Sequence, residues 1–182
     1  MKKPLILIVL AAILVLAGCA KSTSNKASGN NMNHSDMNMN HSTSSGAPAG
    51  LKEAQNPAFP VGSQAVIQAD HMPGMKGAQA TIVGAYSTTV YAVSYTPTTG
   101  GNPVKNHEWV IHEDIKDAGS EALKPGAEVI LETDHMPGMK GATATIDSAE
   151  ETTVYMVDYK PSTGGEIVKN HKWVTESELS TK

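Results

Sequence analysis

Thr88-Thr89-Val90-Tyr91-Ala92-Val93-Ser94-Tyr95 recurs 64 residues later as Thr152-Thr153-Val154-Tyr155-Met156-Val157-Asp158-Tyr159. β-Branched and aromatic residues dominate both copies, as a pleated and half-buried surface requires. Side chains two apart in a strand share a face. One face, Tyr91/Val93/Tyr95, returns unchanged as Tyr155/Val157/Tyr159. On the other, Ala92 and Ser94 become Met156 and Asp158. The retained face predicts core and the drifting face predicts solvent.

The duplication runs outward from this strand without gaps. Between residues 70–110 and 134–174, 29 of 41 positions are identical. It begins at Asp70-His71-Met72-Pro73-Gly74-Met75-Lys76-Gly77-Ala78, repeated as Asp134-His135-Met136-Pro137-Gly138-Met139-Lys140-Gly141-Ala142. It ends at Asn106-His107-Glu108-Trp109-Val110 and Asn170-His171-Lys172-Trp173-Val174. Further strands are expected at 64–69 and 78–83, with twins at 128–132 and 142–147. Thr99-Gly100-Gly101 and Thr163-Gly164-Gly165 read as hairpin turns. The acidic stretches after each Trp strand, Glu113-Asp114-Ile115 and Glu176-Ser177-Glu178-Leu179, read as helical turns. The expected class is all-β: two tandem small SH3-like (KOW-like) barrels, at 58–118 and 119–182, each able to fold alone. Aromatic residues are only 4% of the chain, which suits small domains with thin cores.

Ahead of the repeats lie two segments of different character. Met1-Lys2-Lys3 and the apolar run to Leu16 lead into Leu16-Ala17-Gly18-Cys19. A charged start, a short apolar core and small residues describe a secretory signal, here 1–18, and the run is short for a membrane-spanning helix. Residues 19–57 are rich in Ser, Asn, Gly, Ala and Pro and are expected to be a disordered tether. Within that tether Met32, His34, Met37, Met39 and His41 cluster. Apolar Met has no packing reason to gather in a solvated strand. Thioethers favour Cu(I), and imidazole suits copper in either oxidation state. Met37 and Met39 lie about 7 Å apart in an extended chain, so one fold of the strand can wrap an ion. The competing account is an Asn/Ser linker in which Met and His fall by chance.

The repeats offer a second donor set: His71, Met72 and Met75, with His135, Met136 and Met139. Here structural accounts compete. Met serves as core filler, and a turn His hydrogen-bonds through its ring. His107 and His171 are weaker candidates, with a strand-surface position as the plain alternative. His112 has no twin, since Glu176 stands there, and is set aside.

Composition excludes several classes. Fourteen Lys and Arg against 18 Asp and Glu give a net charge of -4, which argues against nucleic acid as a partner. A single Cys excludes an intrachain disulfide and any Cys-rich cluster. No nucleophile motif or phosphate loop singles out an enzyme.

The Asp-His-Met-Pro-Gly-Met-Lys-Gly-Ala turn, the Thr-Val-Tyr-x-Val-x-Tyr strand and the Asn-His-x-Trp-Val strand, in tandem behind Leu-Ala-Gly-Cys, resemble the YdhK family. That family comprises bacterial secreted proteins and lipoproteins with two copies of a domain of unknown function. Some members look like CopL, a copper-binding surface lipoprotein of copper-resistance loci. Leu-Ala-Gly-Cys itself looks like a bacterial lipobox. The resemblances imply lipidation at Cys19, a membrane anchor outside the cytoplasm, copper binding and a part in copper tolerance, with a copper exporter as a candidate partner. The rival expectation is a surface-displayed interaction module for a peptide, a cell-wall polymer or a membrane protein.

Overall fold

The structure is a computed structural model whose described residues are 46–182; the signal segment, Cys19 and the tether donors Met32, His34, Met37, Met39 and His41 lie outside them. The strands in chain order are β1 (Lys52–Glu53), β2 (Gln64–Ile67), β3 (Gln79–Tyr95), β4 (Val104–Ile111), β5 (Glu128–Ile130), β6 (Thr143–Tyr159), β7 (Val168–Thr175) and β8 (Leu179–Ser180). Two 3₁₀ turns, His112–Asp114 and Glu176–Glu178, follow β4 and β7, where the acidic stretches predicted helical turns. The class is all-β, in a single eight-stranded antiparallel sheet. Order begins earlier than residue 58: Lys52 pairs with Ser87 and Glu53 with Tyr86 at the edge of β3.

The chief departure from the sequence reading is in β3 and β6. Separate strands are expected at 78–83 and 88–95, with twins in the second repeat. Instead residues 79–95 form one continuous strand of 17 residues, and residues 143–159 form its twin. The intervening residues, Gly84-Ala85-Tyr86-Ser87 and Ser148-Ala149-Glu150-Glu151, carry no Asn-Gly or Asp-Gly pair to force a reversal. They stay extended, and the two long strands pair with each other from Ala80↔Tyr159 to Tyr95↔Ala144. Thr88 faces its own counterpart Thr152, so a pseudo-twofold axis passes between them.

Each packed lobe is therefore assembled from both repeats. The first core joins Ile67, Met75, Ala80 and Ile82 of repeat 1 to Tyr155, Val157, Tyr159, Val174 and Leu179 of repeat 2. The second joins Tyr91, Val93, Tyr95, Val110 and Ile115 to Leu131, Met139, Ala144 and Ile146. A third cluster, Val90, Ile111, Val154, Met156 and Trp173, adds apolar contact between them. The retained Tyr/Val/Tyr faces are core, as alternation predicted. The drifting face is only partly solvent: Ala92 and Met156 are buried, and Met156 packs with Val90, Ile111, Val154 and Trp173.

Lobe closure is symmetric as well. β8 pairs with β2 through Ile67↔Leu179, and the equivalent residues form a lone bridge, Ile115↔Leu131. Asn106 and Asn170 adopt left-handed backbone, with φ of 48° and 50°. Asn tolerates this region better than most residues. Their backbone N–H groups donate to Ser94 Oγ at 3.1 Å and to Asp158 Oδ1 at 2.7 Å. The repeated Asn thus shapes the irregularity in β4 and β7, where the ladder register shifts. Among the described residues, no helix is long and apolar enough to cross a membrane.

Candidate functional site

The repeated Asp-His-Met-Pro-Gly-Met turn divides its residues among separate tasks. Met75 and Met139 are fully buried and belong to the first and second cores. As sequence, both read as soft ligands; the structure places both thioethers among apolar side chains, where they fill volume. Met72 and Met136 are half-buried, and Met136 borders the second core. Gly74 has φ +80°, and a Cβ there would lie 2.5 Å from Thr163 Oγ1. That closeness serves docking: the Gly74 carbonyl accepts from Ser162 N–H at 2.8 Å, and the Gly138 carbonyl accepts from Thr98 N–H at 2.9 Å. The turn of each repeat thus rests on the glycine hairpin of the other.

His71 is carried by this turn to a point where three segments distant in sequence meet. Its Nε2 lies 2.6 Å from Glu178 Oε1 and 3.5 Å from Glu108 Oε2. One ligand atom from each of the three residues fits within 4.8 Å of the others. Glu178 is held firmly. Its Oε2 accepts from Trp109 Nε1–H at 2.9 Å, Thr175 N–H at 2.8 Å and Thr175 Oγ1 at 2.9 Å. Burial pushes the Glu178 carboxyl upward, but the bonds from His71, Thr175 and Trp109 together outweigh it, and the net shift is down. Glu178 is thus kept as a carboxylate, with Oε2 committed and Oε1 turned toward His71. The edge of the His71 ring meets Trp109, with centroids 6.5 Å apart.

The twofold partner of this group is built differently. His135 takes the place of His71, Asp114 that of Glu178, Trp173 that of Trp109 and Lys172 that of Glu108. Trp173 Nε1–H points at Asp114 Oδ2 at 3.4 Å. His135 Nε2 lies 3.7 Å from Asp114 Oδ2, beyond hydrogen-bond range. Desolvation pushes the His135 ring down to about 3, helped by His107, Lys172 and His171 nearby. Burial raises the Asp114 carboxyl to about 6, against the bond from Trp173 and the charge of Lys172. The ring is therefore neutral at pH 7, and the contact is not an ion pair.

His107 and His171 stack edge-on to Tyr95 and Tyr159, with centroids 6.1 and 5.6 Å apart. His171 is buried rather than a strand-surface residue, because β7 packs its ring against the core Tyr159. His112, set aside for want of a twin, bonds Tyr91 OH at 2.9 Å; Glu176 does the same for Tyr155 at 2.7 Å. The carboxylates Glu108, Glu178 and Asp114 were missed as site residues. Glu178 and Asp114 come to each histidine from the opposite repeat, so no spacing within one repeat could reveal them. The acidic 3₁₀ turns were the available signal.

A family model described as "Protein of unknown function (DUF1541)" matches residues 61–112 and 125–176, which are the two repeats. The protein "Uncharacterized protein YdhK" of Bacillus subtilis (strain 168) is 58% identical over 180 residues, covering 97% of this chain and 87% of its own length. The crystal structure of the DUF1541 family protein ydhK from Bacillus subtilis is similar with a TM-score of 0.77 and 65% identity, covering 80% of this chain and 99% of that one. A solution NMR structure of the ydhK C-terminal domain from the same organism gives 0.66 and 68%, over 68% of this chain and 94% of that one. With both repeats matched and near-full-length identity of this degree, the chain belongs to the DUF1541 family.

Proposed function

We propose that this is a lipid-anchored, extracytoplasmic protein that binds copper and contributes to copper tolerance by sequestration. The observation that carries the reading is the convergence of His71, Glu108 and Glu178, three metal-ligating side chains from three segments, within 4.8 Å. The tether supports it with a second kind of donor, Met32, His34, Met37, Met39 and His41, suited to Cu(I). His71 and His135, with Met72 and Met136, remain candidate donors on the turns; Met75 and Met139 would have to leave their cores to bind. Cys19 is the lipidation site in this reading, and the lipid holds the protein at the membrane, where an exporter could pass it copper.

Each lobe is read as SH3-like. The strand order β7, the last half of β6, the first half of β3, β2 and then β8, with a 3₁₀ turn before β8, supports this for the first lobe. The barrel so formed is shared between repeats.

A second reading is an interaction module. A shallow groove of about 460 Å³ beside Ala80, Asp158, Tyr159 and Ile167 favours it, with Ile167 55% exposed. One experiment separates the two. The full chain from residue 19 with Cys19→Ser is loaded with Cu(I) under reducing conditions and with Cu(II) in air, and retained metal is counted. Retention of at least one equivalent at micromolar copper is expected. Retention of none in either state would discard the copper reading and leave the groove as the better guide.

A further inference from the structure

We propose that the folded part holds one divalent transition-metal ion per chain, on His71, Glu108 and Glu178, and that Lys172 fills the equivalent place beside His135 and Asp114 and so bars a second. This rests on the metal-binding reading above and sharpens it in ion class and number.

The donor set decides the class. One imidazole nitrogen and two carboxylate oxygens are borderline-to-hard ligands, suited to Zn(II), Co(II) or Cu(II) rather than to Cu(I). The three converging ligand atoms include no thioether; of the two Met on this turn, Met75 is fully buried in the first core and Met72 is half-buried. Ligands at 2.0–2.2 Å from one ion sit about 3–3.5 Å apart when cis, and the 2.6 and 3.5 Å separations from His71 Nε2 are within easy adjustment of this. The support around the ligands is already built. The three donors on Glu178 Oε2 fix that carboxylate in the manner of an outer shell, which leaves Oε1 for the ion. His71 and Glu178 have side chains only 12% and 16% exposed, so they are largely preorganised, while Glu108 at 32% supplies an opening.

The number follows from the pseudo-twofold axis. The same chain positions recur around His135, and the acid from the 3₁₀ turn is present there as Asp114, 3.7 Å from the ring Nε2. The charge differs at the residue that follows the strand histidine: Glu108 in one copy, Lys172 in the other. The Lys172 ammonium donates to the Gly46 carbonyl at 2.9 Å and lies near enough to act on both Asp114 and His135. A fixed cation there supplies the positive charge that an ion would bring, so the second site is internally compensated. The first has two carboxylates facing one imidazole.

The test uses the full chain from residue 19 with Cys19→Ser, and equilibrium dialysis against Zn(II), with Co(II) absorption as a spectroscopic check. The tether is constant in every comparison. E108K should lose one tight Zn(II) equivalent and its Co(II) bands, and E108Q should weaken it by about 10–100-fold. K172E should gain a second equivalent; should it fail to fold by circular dichroism, K172Q should show a weaker second class. Full Zn(II) binding by folded E108K overturns the site. No second class in either Lys172 variant overturns the blocking role. Copper retained by the parent chain with no Zn(II) or Co(II) bound at all overturns this proposal while sparing the copper reading; no copper, Zn(II) or Co(II) bound sinks both.

Discussion

Asp114 keeps its proton to higher pH in the fold than in the unfolded chain, about 6 against an ordinary 3.8, because burial disfavours the carboxylate. The folded state therefore binds more protons between those values. Its contribution to stability is present below about pH 4 and is lost as pH rises through 6, a swing on the order of 2–3 kcal/mol. His135 acts in the opposite sense, since its folded value of about 3 lies below the ordinary 6.5, so stability is lost as pH falls toward 3. Asp114→Asn removes only the first effect. Its urea midpoint should gain on the parent steadily from pH 4 to pH 7; a constant offset across that range would contradict a buried, raised carboxyl. Met75 offers a second check at this scale. With no exposed surface, Met75→Ala should cost about 2–5 kcal/mol and Met75→Leu less than about 1.5. A Met75→Ala protein as stable as the parent would return this thioether to the list of ligands. Burial of this kind is not legible in the motif, where Met72 and Met75 look alike.

The elements most legible in the sequence were those with strict alternation or a glycine turn. The Tyr/Val/Tyr strands, the Asn-His-x-Trp strands and the acidic 3₁₀ turns stand where the pattern put them, since alternation reports a buried face directly. The turn bearing His71 was legible as a turn but not as a docking element, because its partner is the hairpin of the other repeat. This yields a contrast between two glycines of nearly equal φ, Gly74 at +80° and Gly100 at +82°. Gly100→Ala meets nothing within 4 Å and should cost only the left-handed backbone, about 1 kcal/mol. Gly74→Ala adds a clash at 2.5 Å with Thr163 Oγ1 and should cost about 1–3 kcal/mol more. Equal melting temperatures for the two variants would mean that the turn and hairpin do not press together in solution.

At the scale of the whole molecule, each lobe depends on both repeats. A chain of residues 58–118 keeps Ile67, Met75 and Ile82 but loses Tyr155, Val157, Tyr159, Val174 and Leu179, the other half of the first core. It retains a full-length β3 able to pair with a second copy in the register that Thr88↔Thr152 now occupies. An isolated repeat should therefore fold as a dimer, with stability that rises with concentration. Light scattering after size exclusion is the measurement, and a folded monomer would show that a repeat can turn back on itself between residues 83 and 88.

The sequence by itself determined the retained strand faces, the duplication and the family, because each is written in local periodicity or in repeated identity. It also placed His71 and His135 in matching turns. Which repeat would complete which core was decided only in three dimensions. An extended segment without a strong turn signal is free to pair with its own repeat or with its twin, and both choices bury the same faces. The pairing of β3 with β6 settled that choice, and with it the company each histidine keeps: two glutamates for His71, an aspartate and a lysine for His135.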